Sequence, residues 1–62
     1  MLLSQIKKTV SKKYETENSL TDTYYEAKGY IQGLKDFGVI NLGDYWQLKE
    51  YNQVLYKNRG KL

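Results

Sequence analysis

Any chemistry in this chain has to come from carboxylates, lysines and aromatic side chains, because its 62 residues include no histidine and no cysteine. The commonest general base and the commonest metal ligand are therefore missing, and so are disulfides and thiolate metal sites. The best-spaced acids, Asp22 and Glu26, stand one helical turn apart. A charge favoured by the dipole at the start of a helix explains them more simply than acid–base catalysis does. No catalytic residue, no metal site and no cofactor is expected, and the chain reads as a non-enzyme.

Asp36-Phe37-Gly38 spells the metal-binding tripeptide of protein kinases. A chain of this length has no room for the glycine-rich loop, catalytic loop and second lobe that give the tripeptide its meaning, so it reads as a helix stop. What remains is surface chemistry, carried by one tryptophan, seven tyrosines and ten basic residues. Each phenolic hydroxyl needs water or a partner, which places tyrosines at the rim of a small core or at an interface.

Charge is segregated along the chain. Lys7, Lys8, Lys12 and Lys13 give residues 1–14 a net +4, the acids from Glu15 to Asp44 give the middle −4, and residues 45–62 carry +3. Basic ends can fold back on an acidic middle and neutralise it, which is the simpler explanation; a lysine face on the first helix that binds nucleic acid is the alternative. A membrane role finds little support. No apolar run approaches the ~20 residues that span a bilayer, and the apolar stripe of the first helix lacks an anchoring tryptophan. The expectation is a soluble, cytoplasmic protein that does not insert into membranes.

The elements that position these groups are three helices, about 2–14, 21–37 and 42–58, in a single all-α domain spanning 1–62. No window alternates polar and apolar residues as a half-buried strand does. In the first helix Leu3, Ile6, Val10 and Tyr14 form one stripe. In the second, Leu20, Tyr24, Ala27, Ile31 and Leu34 do so, widened by Tyr30 and Phe37. Its start has two competing caps, Ser19 with Asp22 and Thr23 with Glu26. Its end is sharper: Gly38 fits the left-handed residue of a Schellman stop, with Val39 expected to pack on Leu34. Asn41 then reads as the next N-cap, with Asp44 three residues on and Ile40 stapled to Tyr45. Together these make a tight helical hairpin, across which the first helix lies. From Lys57 onward a fraying basic tail is expected, with Gly60 as a late stop.

Two surfaces are candidates for partner binding. The third helix buries Tyr45, Leu48, Tyr51, Asn52 and Leu55 on one face, leaving Leu42, Trp46 and Lys49 on an adjoining one. Trp46 is either roofed by the first helix, the usual fate of a tryptophan, or a contact point for a partner. On the second helix Gly29 and Gly33 each cost about 1 kcal/mol relative to alanine. A second backbone packing closely there, bracketed by Tyr30 and Phe37, would offset that cost; tolerance on an exposed flank is the plainer reading.

From Ala27 to about Leu48, the runs Ala-Lys-Gly-Tyr-Ile-Gln-Gly-Leu, Phe-Gly-Val-Ile-Asn and Tyr-Trp-Gln-Leu resemble the helical hairpins of small proteins from phages and mobile elements of low-GC Gram-positive bacteria. The resemblance covers about a third of the chain and implies an accessory protein of such an element, acting in the host cytoplasm by binding a host protein. Self-association as a homodimer or other homo-oligomer is also expected, since so small a domain gains from burying more surface.

Overall fold

The structure, a computed structural model, describes residues 2–16 and 18–60. They form three α-helices, α1 (Leu2–Thr16), α2 (Leu20–Asp36) and α3 (Leu42–Gly60), with no strand among the described residues. Short connections force neighbouring helices antiparallel, giving an up–down–up bundle about 34 Å long and 16 Å across. The all-α expectation and the three segments hold, with ends that differ by one or two residues. α3 in particular stays helical to Gly60, so the tail expected to fray from Lys57 continues the helix; residues 61 and 62 lie outside the described residues.

The hairpin forms as its local chemistry dictates. Gly38 takes φ +74°, its N–H donates to the Lys35 carbonyl at 3.1 Å and the Val39 N–H to the Leu34 carbonyl at 2.9 Å, the two bonds of a Schellman stop. The Asn41 side chain accepts from the Asp44 N–H at 2.8 Å and so caps α3. Ile40 and Tyr45 are both buried in one cluster, as a hydrophobic staple requires. The apolar seal of the turn is therefore Ile40; Val39, expected to cover Leu34, is exposed.

Between the two proposed starts of α2, Ser19 is the one used. Its hydroxyl accepts from the Asp22 N–H at 3.3 Å, while Thr23 is buried one turn inside the helix and donates its hydroxyl to the Ser19 carbonyl at 2.8 Å.

Ile6, Val10 and Tyr14 of α1 meet Ala27 and Ile31 of α2, Leu48 of α3 and the Ile40–Tyr45 staple in the core. One polar bridge crosses this core. The Tyr14 hydroxyl donates to the Asn52 side-chain carbonyl, and the Asn52 amide donates to the Tyr24 backbone carbonyl at 3.2 Å, so a single asparagine joins all three helices. Among the described residues no buried side-chain polar atom lacks a partner.

Candidate functional site

α1 fills one of the two grooves of the α2–α3 hairpin and leaves the other open. Its contacts with α3 run through Tyr14 on Asn52 and Lys7 over the Tyr51 ring at 5.4 Å; with α2, Lys13 stands over Tyr30 at 5.8 Å. None of these reaches Trp46. The indole is 57% exposed, and Leu42, one turn earlier, is 60% exposed. The roofing of Trp46 by the first helix therefore does not occur, because α1 occupies the opposite side of α3.

The open side is lined by aromatic rings and ammonium groups. Trp46 and Tyr45 meet edge to face, with centroids 5.6 Å apart. The Lys49 ammonium lies 4.8 Å from the Trp46 ring centre and 5.3 Å from that of Tyr45, and Lys35 approaches Tyr45 from α2 at 4.7 Å. Such contacts contribute about 0.5–1 kcal/mol each at exposed sites and hold the long side chains over the rings. Below Tyr45 its hydroxyl donates to Gln32 at 2.8 Å, and the Gln32 amide donates to Asp36 at 3.0 Å. The carboxylate of the Asp-Phe-Gly run is thus held at a helix end.

Two shallow depressions follow this face along α3, one bordered by Trp46, Lys49, Glu50 and Gln53, the next by Gln53, Tyr56 and Lys57 with Thr21, Tyr24 and Tyr25 of α2. They share Gln53 and so form one track. In the second, Tyr24 packs on Tyr56 at 4.7 Å and edge-on against Tyr25 at 5.3 Å.

Phe37 belongs to the exposed end of the hairpin. Expected to widen the core stripe of α2, it is the C-cap residue instead and is 88% exposed, because the chain leaves helical geometry there before the ring can turn inward. Phe37, Val39 and Leu42 are thus exposed at or beside the turn, and Leu42 lies one helical turn before Trp46 on α3.

Gly29, Gly33 and Tyr30 lie apart from this surface. Beyond its own helix, a methyl group at Gly29 or Gly33 would meet nothing within 4 Å among the described residues, so no other described segment approaches either glycine. Tyr30 is half-buried beneath Lys13.

The four α1 lysines divide in the same way. Lys7 and Lys13 lean back over tyrosines, whereas Lys8 and Lys12 are exposed on the far side. Sequence reasoning missed two features. The meeting of Lys35 with Lys49 over Tyr45 depends on the antiparallel register across the turn, and the only signal for the Tyr14–Asn52–Tyr24 bridge was an asparagine on an otherwise apolar stripe.

The Tyr14 phenol holds its proton to higher pH than a free tyrosine. Tyr14 is pushed up from 10.0 to about 12, first by burial, which disfavours the phenolate, and then by the neighbouring Tyr24 and Tyr56. This makes Tyr14 a structural hydrogen-bond donor rather than a base. Among the described residues no three acids gather as a metal site would need, and no helix is long and apolar enough to cross a membrane. Compared with protein-family models, characterised proteins and solved structures, the chain matches none.

Proposed function

We propose that this chain is a small non-enzymatic binding module that engages another protein through the face formed by Leu42, Trp46 and Lys49, extended at the hairpin tip by Phe37. The observation that carries this reading is the exposure of Trp46 beside Leu42 on a helix whose other face already supplies the core. Exposed aromatic anchors flanked by polar residues are the usual energetic centre of a protein interface. α3 also carries apolar side chains on two faces while only one is covered, the pattern of a helix meant to be buried on both.

On the resemblance of its hairpin, the module serves a phage or mobile element as an accessory protein that modulates a host protein in the cytoplasm. Self-association belongs to the same proposal. Gly29 and Gly33 leave open space on α2 where a second copy's backbone can come close, with Tyr30 at the edge.

The experiment is site-specific photo-crosslinking in the host. A photoreactive residue at position 42 or 46 should yield protein adducts, whereas one at the exposed position 8 should not. Absence of protein adducts from both 42 and 46 would overturn the reading.

A second reading, nucleic-acid binding by Lys7, Lys8, Lys12 and Lys13, draws on a shallow depression that Lys12 and Lys13 line with Thr9 and Thr16. It predicts a mobility shift that weakens steeply with salt. No aromatic side chain lines that depression for a base to stack on, which makes it the weaker of the two.

A further inference from the structure

From the cations gathered in the open α2–α3 groove, we infer that the partner segment docking there is acidic and amphipathic, its carboxylates meeting Lys35 and Lys49 and its apolar side chains covering Trp46. This rests on the protein-binding reading above and names the chemistry of the partner. Lys35 comes from α2 and Lys49 from α3, yet both ammonium groups stand over the Tyr45 ring, at 4.7 and 5.3 Å from its centre. Their nitrogens are therefore no farther apart than those two distances combined, so each adds to the positive potential around the same ring, and a carboxylate arriving there is favoured by both. Lys28 is exposed two turns before Lys35 on the same face of α2, and Lys57 borders the Tyr24–Tyr56 depression, so positive charge continues along the track. Two acids offset part of this charge: Glu50, at the rim beside Trp46, and Asp36, which follows Lys35 and keeps its negative charge while accepting from the Gln32 amide; the four lysines outnumber them.

The occupied ring faces separate an acidic peptide from single-stranded nucleic acid. Bases bind such surfaces by stacking on free aromatic faces. Here Tyr45 has two ammonium groups over it, Trp46 has Lys49, and Tyr24 is packed between Tyr25 and Tyr56. A carboxylate can accept hydrogen bonds from the ammonium groups while leaving these ring contacts in place. A leucine or methionine one turn away on the same segment would then lie on the exposed part of the indole, in the manner of an amphipathic helix in a groove.

Trp46 is the sole tryptophan, so its fluorescence reports occupancy directly. The full chain is titrated with a helix-forming peptide carrying glutamate and leucine on one face, with the same peptide bearing glutamine for glutamate, and with single-stranded oligothymidylate. The acidic peptide should shift the emission saturably, and binding should weaken as salt is raised. The glutamine twin should bind at least tenfold more weakly, and Lys35→Gln with Lys49→Gln should lower affinity for the acidic peptide by about tenfold. Lys8→Gln with Lys12→Gln, which removes the same net charge elsewhere, should leave it unchanged. Equal binding of the glutamine twin, indifference to the Lys35 and Lys49 changes, or binding of oligothymidylate alone would each overturn the inference. A partner crosslinked from position 46 through a segment with no net negative charge would overturn it too, while leaving the protein-binding function standing.

Discussion

The phenol of Tyr14 on α1 and the side-chain amide of Asn52 on α3 are hydrogen-bonded inside the core, and Asn52 passes the link on to the Tyr24 carbonyl of α2 at 3.2 Å. In a bundle with so few buried apolar residues, this bridge fixes how α1 is seated in its groove, because sliding or rotating the helix would strand buried polar groups.

Removing one partner should therefore cost more than an average hydrogen bond. Asn52→Ala removes the side-chain acceptor of the Tyr14 hydroxyl, leaving it only the backbone carbonyl of the same position at 3.3 Å, and also removes the donor to the Tyr24 carbonyl; it should destabilise by about 2 kcal/mol, while Tyr14→Phe should lose about 1 kcal/mol. Urea denaturation midpoints measure both; equal and negligible losses would show that the bridge does not hold the core.

The raised pKa of Tyr14 contributes a loss of stability at alkaline pH. In the unfolded chain this phenol ionises near 10.0 and in the folded protein near 12, so the folded state retains the proton that the unfolded state gives up. Its stabilising contribution is complete below pH 10 and declines as pH rises toward 12. The informative quantity is the difference from a variant that lacks this phenol. The stability of wild type relative to Tyr14→Phe should fall across that interval; a constant difference would mean that Tyr14 ionises as it does when unfolded.

Three glycines should respond with opposite signs. Alanine at Gly29 or Gly33 meets open space in a regular helix and should stabilise the fold by about 0.5–1 kcal/mol. At Gly38, where φ is +74°, alanine should destabilise by about 1 kcal/mol and loosen the hairpin stop. Thermal unfolding of the three variants tests this. A loss of stability at position 29 or 33 would show that the open space is not there.

The two helix caps should differ as their geometries do. Asn41 accepts from Asp44 at 2.8 Å, against 3.3 Å for Ser19 and Asp22. Asn41→Ala should cost about 1 kcal/mol and Ser19→Ala less, with the change visible as faster amide exchange in the first turn of α3.

Which features can be read from the residues follows from how far apart their causes lie. The Gly38 stop, the Asn41 cap and the Ile40–Tyr45 staple are decided within eight residues, and all were legible. Phe37 was misjudged because stripe membership assumed that the helix continued one residue further than it does. Trp46 could not be placed from spacing, since both faces of α3 carry apolar side chains and the choice between them depends on where α1 lies. The convergence of Lys35 and Lys49 depends on register across the turn, and pairing Asn52 with Tyr14 requires residues 38 positions apart to meet.

The surface role of Trp46 also separates it from the core in stability. Leu48→Ala, in the fully buried centre, should cost about 2–5 kcal/mol, whereas Trp46→Ala should change the unfolding midpoint little. The most direct test of the account is therefore partner capture from a photoreactive residue at position 42, compared between wild type and Trp46→Ala once circular dichroism has shown both to be folded. The account predicts that capture falls at least tenfold while the unfolding midpoint holds. Undiminished capture by the folded variant would contradict it.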